Sequence, residues 1–229
     1  MTTASRDRPP PGRQSRQSER AQVRADRTRV LMIEETIKCI REEGFAAAST
    51  RHIVERAGVS WGVIQYHFGD RDGLLTAVID YGFDTLVESL NELADTAEGV
   101  TDARSRAETL SAAAWQVFST PTAMGALEIL IATRAMRGTM DGKKFHGLQT
   151  ALARIASLID DSTPHAESIA TLLWAGPVGM MVARIVTPGL RAQSGQDALA
   201  DLIADHLSAR AAPASKKVRG TSRKPRKGA

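Results

Sequence analysis

The stretch AGVSWGVIQYHFGDRDGLL, residues 57–75, decides the fold of this 229-residue chain. Gly58 opens a tight turn, and Ser60 can cap a short helix that ends near Phe68. The residues before the turn predict another short helix that ends at Ala57. Two short helices joined by a tight turn containing glycine are typical of a helix-turn-helix.

The sequence on both sides of this unit also predicts helices. A first helix covers about 28–43 and ends at Gly44, and Ser49 or Thr50 can cap the second. Asp70 can cap a long fourth helix. Only 4% of the residues are aromatic and strand-like alternation is scarce, so the fold class is all-α. Further amphipathic helices are predicted at about 102–119, 121–138, 142–160, 164–187 and 196–211.

Four segments follow from this pattern. Residues 1–27, rich in Pro, Ser and Arg, are expected to be a disordered basic arm, and residues 212–229 a disordered basic tail. Residues 28–73 are expected to form a three-helix helix-turn-helix domain that binds DNA. The long fourth helix joins it to residues 74–211, which are expected to form a second, helical domain.

The net charge of +4 hides a strong asymmetry. Residues 1–29 hold eight arginines against three acidic residues, a net +5. Residues 210–229 hold eight basic residues and no acidic one, whereas 30–209 hold 14 basic against 23 acidic residues, a net −9. Basic arms attract nucleic acid, and solvated tails without a partner are the alternative.

Several protein classes are excluded. The single cysteine, Cys39, excludes an intramolecular disulfide, which is compatible with a reducing cytoplasm. We expect Cys39 to be a buried structural thiol. The N-terminus has no apolar signal segment, and the most apolar stretch, 172–186, is short and contains Arg184, which disfavours a membrane span. No phosphate loop, nucleophile elbow or catalytic triad is present, and His146 and His165 are expected at the surface. We therefore expect that this protein is not an enzyme and that it binds no cofactor or metal.

The helix after the turn has two different sides. On a helical wheel Ile64 and Phe68 point together into a small core, while Gly62 and Tyr66 point almost oppositely. Gln65 lies on the flank of the outward side. Glutamine pairs bidentately with adenine in the major groove, so we expect this helix to lie against DNA.

Other side chains of this helix suit the same role. Val63 can touch a thymine methyl group, and Tyr66 and His67 can donate hydrogen bonds to phosphates. Gly62 either permits a close approach to a phosphate strand or is a tolerated first-turn glycine. Trp61 lies close to the inward side, so capping the core and contacting DNA are equally supported.

From about Val30 to Val78 the sequence closely resembles the TetR family of transcriptional regulators. The shared pattern is a glycine-ended first helix, a threonine-started second, AGVS at 57–60, HF at 67–68, a basic residue and a leucine pair. Gln65 stands where the family most often has Tyr, and Arg71 where it usually has Lys; both are included in the expected DNA-binding set. The resemblance implies DNA contacts by Thr50, Arg51, Ser60, Trp61, Gly62, Val63, Tyr66 and His67.

The resemblance implies that residues 74–211 form a helical dimerisation and effector-binding domain, and the apolar stripes of this region suit a dimer. Two helices from each subunit could form a four-helix interface, although a purely intramolecular core is the alternative. The interface residues expected from these stripes are Ile169, Leu172, Leu173, Gly176, Met180, Ala183, Leu199, Leu202, Ile203 and His206.

The same region can hold a mostly apolar effector pocket. Gly176-Pro177 predicts a kink beside Trp174, and methionines adapt to irregular ligands. A hydrophobic small molecule is the effector class that this composition favours, although each residue alone could be plain core. The candidate pocket residues are Trp115, Phe118, Met124, Leu127, Ile131, Arg134, Phe145, Trp174 and Met180.

Together these features predict a homodimeric regulator, a repressor that binds an inverted-repeat operator in double-stranded DNA. An effector would tilt the long fourth helix and change the separation of the two reading helices. Two other functions remain open: a small-molecule carrier without specific DNA binding, and nonspecific DNA coating by the basic tails.

Overall fold

The computed structural model describes residues 11–137, 142–160, 166–187 and 192–211, and its described elements are helical. A short 3-10 turn at Phe45–Ala47 follows the first helix. The α-helices are α1 Pro11–Glu43, α2 Thr50–Ala57, α3 Trp61–Phe68, α4 Arg71–Glu98, α5 Ala103–Phe118, α6 Pro121–Arg137, α7 Gly142–Asp160, α8 Ala166–Val186 and α9 Ala192–Ala211. The bounds of α2 to α8 lie within about two residues of those expected.

The first helix is much longer than the sequence pattern predicts. It begins at Pro11 instead of near residue 28, so the expectation of disorder is wrong for residues 11–27. Proline suits the first position of a helix, and the Gln, Arg, Glu and Ala residues that follow are good helix formers. The Gln22 amide also donates to Asp26 at 2.9 Å, one turn away. Residues 1–10 and the expected tail at 212–229 lie outside the described residues.

The turns before α2 and α4 follow the predicted capping pattern. Gly44 has a φ of +82°, which glycine tolerates without strain. The Ser49 hydroxyl accepts the His52 N–H at 3.3 Å and caps α2. The Asp70 carboxylate accepts the Gly73 N–H at 2.8 Å and caps α4. These caps orient two of the helices that frame the helix-turn-helix.

Two apolar cores lie along α4. The N-terminal core contains residues of α1, α2, α3 and the first part of α4, including Leu74, Leu75 and Val78. The second core contains Leu90 and Leu93 of α4 together with residues of α5, α7, α8 and α9. Because α4 contributes to both, the helix-turn-helix core extends past the expected boundary at residue 73.

α6 also joins the two parts of the chain. Its Ile129 is fully buried in the N-terminal core, and Gly125 packs closely against Ile37 of α1. The Glu128 carboxylate accepts the Phe45 backbone N–H at 3.0 Å. Leu127 of α6 also lines a cavity together with Trp174 of α8, so α6 contacts both parts of the chain.

The most apolar segment forms α8, which continues through Pro177 as one helix. α8 packs against α5, α7 and α9, and Leu173 on this helix is buried in the second core. In the described ranges, no helix combines the length and apolar character needed to cross a membrane.

Candidate DNA-binding surface

The short helix α3 is anchored by one side and open on the other. Ile64 is fully buried, and Phe68 packs partly buried against the same core. Gly62 and Gln65 are exposed, and Tyr66 is 79% exposed. This is the division between inward and outward sides that the helical wheel predicts. The open side carries hydrogen-bonding side chains that the protein itself does not cover.

Trp61 and Val63 differ in how much they extend this surface. Trp61 is 54% exposed, so it does not act as a lid on the core, and the contact with DNA is the better supported of its two alternatives. Val63 is half-buried and packs partly against the core. Only part of its side chain is therefore available to a thymine methyl group.

The start of α3 leaves its polar groups available. Ser60 has the extended backbone of a capping residue, but its side chain makes no capping hydrogen bond. Instead its carbonyl accepts the Val63 N–H at 3.0 Å. The expected side-chain cap is thus absent, and the exposed Ser60 hydroxyl lies at the N-terminus of α3. This arrangement suits a phosphate, because helix N-termini attract anions.

Polar side chains of α2 and of the end of α3 border this surface. Thr50 starts α2 and is half-buried, whereas the Arg51 side chain is 89% exposed and pairs with Glu55 at 2.8 Å. Solvent screens such an exposed pair, so it contributes little to stability and Arg51 can exchange it for a phosphate. His67 is half-buried, with its ring against Tyr66 at 4.8 Å between centroids.

Arg71 has a structural role that the sequence did not reveal. Its Nε donates to the Ala48 carbonyl at 2.8 Å, and its guanidinium lies 5.1 Å from the centre of the Phe45 ring. It ties the start of α4 to the turn that enters α2. We therefore place Arg71 among the residues that position the helix-turn-helix, not among its primary DNA contacts.

An ionic cluster between α1 and α2 also went unnoticed in the sequence. Arg56 pairs with Glu42 at 2.6 Å and with Glu43, and His52 Nε2 lies 2.8 Å from Glu43. These pairs fix the angle of α2 against α1. The available sequence signal was two basic residues one turn apart on α2, opposite an acidic end of α1.

The same cluster brings three potential metal ligands together. Ligand atoms of Cys39, Glu43 and His52 lie within 4.8 Å of one another. However, Arg56 already neutralises Glu43, and burial of the Cys39 thiol raises its pKa, which opposes the thiolate that metals bind. We therefore interpret the cluster as structural. The predicted burial of Cys39 is confirmed.

An apolar cavity of about 140 Å³ lies in the C-terminal part. Of the expected pocket residues, Phe118, Leu127 and Trp174 line it. The other lining residues are Gly82, Phe83, Leu86, Ala123, Ala126, Leu130, Leu148 and Val178. Its wall is almost wholly apolar, which suits a hydrophobic molecule.

The remaining expected pocket residues lie elsewhere. Met124 and Ile131 line a separate groove between α6, α8 and the end of α1, which Leu127 also reaches. Trp115, Arg134 and Met180 line neither space. The side chain of Phe145 is outside the described part of the chain. For the α6 residues Met124, Leu127 and Ile131, helical spacing alone could not tell which space each one lines, because different helices pack against different faces of α6.

The expected dimer residues also divide into two groups. Ile169, Leu173 and Ile203 are buried in the chain's own second core, as the intramolecular alternative proposed. Leu172 and Leu202 are 52% and 68% exposed and remain available to a partner. Gly176, Met180, Ala183 and Leu199 are half-buried, and the side chain of His206 is not described.

Two histidines were expected at the surface. His146 is exposed, and its carbonyl accepts the Thr150 hydroxyl within α7. His165 lies outside the described residues.

The N-terminal part of the chain matches a known family. Residues 32–78 fit the profile described as bacterial regulatory proteins, tetR family. The HTH-type transcriptional regulator BetI of Yersinia pestis (strain Pestoides F) is 39% identical over 64 residues, which make up 28% of this chain and 32% of BetI. The chain thus spans about a quarter to a third of the length of the curated relatives it matches.

Solved structures resemble a larger share of the chain. A transcriptional regulator from Rhodococcus sp. RHA1 superposes with a TM-score of 0.60 at 24% identity, covering 79% of this chain and 96% of that protein. The TetR family transcriptional regulator PfmR from Thermus thermophilus gives a TM-score of 0.51 at 19% identity, covering 75% and 96%. These likenesses confirm the all-α fold class.

Proposed function

Because the chain belongs to the TetR family of bacterial regulatory proteins, we propose that it is a sequence-specific DNA-binding regulator of transcription, acting as a repressor. One observation carries this proposal: Ile64 anchors α3 in the core while Gln65 and Tyr66 stay exposed. A helix held in this way can enter the major groove and offer side chains to base edges. The proposal requires no catalytic step and no cofactor.

The repressor acts as a homodimer on an inverted repeat. Leu172 of α8 and Leu202 of α9 are exposed apolar residues, and Gly179 lies on the same side of α8 as Leu172. Small residues permit close helix approach, so two helices from each subunit can form a four-helix interface. Two-fold symmetry then sets the two α3 helices about 34–36 Å apart or somewhat more, in successive major grooves.

A hydrophobic effector releases the operator by acting on α6 and α4. Ala126 and Leu127 of α6 line the apolar cavity, while Glu128 and Ile129 next to them contact the helix-turn-helix. Gly82 of α4 lines the cavity too. An effector that fits better when these helices are displaced favours a different separation of the α3 helices, because ligands shift equilibria only through differential affinity.

The cavity also supports the second candidate, a small-molecule carrier of the same fold. This function needs the apolar cavity but makes no use of the exposed side of α3. Tight ligand binding by a protein that protects no DNA sequence would favour it. An effector that binds without changing operator affinity would contradict the release mechanism.

The test of the main proposal is a selection of genomic fragments by the purified full-length protein at physiological salt. We expect sequencing of the retained fragments to show an enriched inverted repeat. Retention of fragments without any shared sequence would contradict sequence-specific regulation.

Gln65→Ala is expected to relax the preference for one base pair in each half-site. Loss of a bidentate contact with adenine costs about 1–3 kcal/mol of discrimination against the wrong base. Titration of operators that differ only at that position measures the effect. An equal loss of affinity for all sequences would instead assign Gln65 to the phosphates.

Tyr66→Phe is expected to weaken binding to all duplexes about equally. Its 79% exposed side chain can hold a phosphate through the hydroxyl, a contact that carries no sequence information. Binding to the operator and to a scrambled duplex should therefore fall by the same factor. A change in base preference would reverse the roles given to Tyr66 and Gln65.

A further inference from the structure

The N-terminal part of α1 stands apart from the helix-turn-helix. The Arg29 guanidinium lies 5.5 Å from the centre of the Phe68 ring, so α1 passes the end of α3 at this point. Towards its start the helix continues to Pro11, and residues 16–24 are exposed without exception. At 1.5 Å per residue, residues 11–27 form about 25 Å of helix before the segment of α1 that packs in the N-terminal core. We call residues 11–27 the helical arm.

Four of the arginines on this arm, those whose side chains the structure describes, form one stripe. Arg16, Arg20, Arg24 and Arg27 follow the helical repeat and fall within an arc of about 80°, given 100° per residue. They are exposed, and within the described residues none of them pairs with a carboxylate. The spacing therefore concentrates positive charge on one side of a rod and leaves it unneutralised.

The stripe lies on the side away from the chain's own core. Met32, Ile33 and Ile40, three of the buried residues of α1, lie on the opposite side of the helical wheel. The acidic residues of the arm, Glu19 and Asp26, lie about 100–120° from the centre of the stripe. An external polyanion can thus approach the arginines without meeting either carboxylate.

We propose that the helical arm lays this arginine stripe along the phosphate backbone of DNA next to the site occupied by α3. The inference rests on the proposed function, because DNA bound by α3 is the polyanion brought to this end of the molecule. A helix of this length with no packed face is marginal in water, so a ligand that neutralises its charge also stabilises it. Its length of about 25 Å follows the backbone for about seven base pairs at 3.4 Å each.

The test replaces the four arginines in the full-length protein: Arg16→Gln, Arg20→Gln, Arg24→Gln and Arg27→Gln. Glutamine and arginine have similar helix propensities. The probe is a random-sequence duplex titrated at a series of salt concentrations. The slope of log K against log salt is negative, and each phosphate contact removed makes it less steep by about 0.9. For two to four contacts in each arm of the dimer, we expect the slope to become less steep by about 4–7. An unchanged slope would overturn the proposal.

A composition-matched control separates the stripe from charge alone. Exchanging neighbours, Arg16→Gln with Gln17→Arg and Arg20→Ala with Ala21→Arg, rotates two guanidinium groups by about 100° at constant net charge. We expect the slope to fall about half as far as in the fourfold variant. A slope equal to that of the unmodified protein would show that the direction of the arginines does not affect DNA binding. That result would overturn the proposal that the stripe binds the phosphate backbone.

A fourfold Arg→Lys variant tests whether charge or helix integrity is responsible. Lysine retains the phosphate attraction, so the original slope is expected. If lysine lowers the slope as much as glutamine does, loss of charge is not the cause and the proposal fails.

Two further outcomes identify what has failed. If retained genomic fragments share no sequence, the proposed regulation fails, while the slopes on random DNA still test the arm. If the glutamine variant keeps the slope but loses self-association in sedimentation velocity, the stripe binds an acidic surface of a second copy. That result would overturn binding to phosphates.

Discussion

Gly73→Ala is expected to weaken operator binding strongly. A Cβ at this position in the first turn of α4 would overlap the Phe68 carbonyl oxygen, which belongs to the backbone at the end of α3. Backbone cannot rotate away as a side chain can, so α3 and α4 must separate. Overpacking of this kind costs about 1–3 kcal/mol, and we expect the upper end of that range. Because both α3 helices of a dimer are displaced, operator affinity should fall at least about a hundredfold, the equivalent of about 2.7 kcal/mol.

The measurements are chemical denaturation and operator titration of the purified variant. Gly62→Ala is the matched control, since its Cβ would meet only the Ser60 hydroxyl oxygen at 3.8 Å. We expect this change to preserve stability or raise it by up to about 1 kcal/mol. A loss of operator affinity without loss of stability would then indicate close approach of DNA at Gly62. Normal stability and operator binding by the Gly73 variant would contradict the geometry of this junction.

Gly82→Ala is expected to force α4 and α6 apart. The added Cβ would lie 2.5 Å from the Ala126 Cβ and 3.4 Å from the Thr122 carbonyl oxygen. Both Gly82 and Ala126 also line the apolar cavity, so the variant changes the space that we assign to the effector. We expect a loss of about 1–3 kcal/mol in the free energy of unfolding and weaker binding of an apolar fluorescent dye. Displacement of α6 should also weaken operator binding, because α6 contacts the helix-turn-helix.

The exchange Gly82→Ala with Ala126→Gly tests the cause directly. Ala126→Gly alone should cost about 1 kcal/mol through helix propensity. Combined with Gly82→Ala it removes the clash, so the double variant should be more stable than the sum of the single changes predicts. Double-mutant cycles detect such coupling between residues in contact. Additive losses would show that the two positions do not press on each other.

The local signals in the sequence were sufficient for the helix-turn-helix. Ser49 and Asp70 accept the backbone N–H groups expected of capping residues. Gly58 adopts a φ of +66° at the turn between α2 and α3. The division of α3 into a buried and an exposed side was also predictable, because helical periodicity places Ile64 opposite Tyr66. These features depend on interactions within a few residues.

The start of α1 was predicted less well, because the sequence analysis relied on such local signals. The arm has no apolar periodicity, so its sequence reads as disorder, although its residues favour a helix individually. Only when α1 is continuous from the packed segment does the helix extend to Pro11, because propagation adds one hydrogen bond per residue while nucleation is costly.

Local patterns could not assign partners to side chains that meet across the fold. Arg71 was included in the expected DNA-binding set, yet its Nε donates a hydrogen bond to the Ala48 carbonyl. Leu172 and Leu173 are neighbours in an apolar stripe, and only the packing of α8 on the second core exposes one and buries the other.

The sequence by itself determined that the chain is all-α, where most helices begin and end, and that it carries a helix-turn-helix. The tertiary structure alone decided that α6 joins the apolar cavity to the helix-turn-helix and that the arginines of α1 face away from the core. Caps and periodicity act between neighbours in the chain and can be read from it. Cavities and contacts between helices depend on which faces meet after folding, and many residues distant in sequence decide that together.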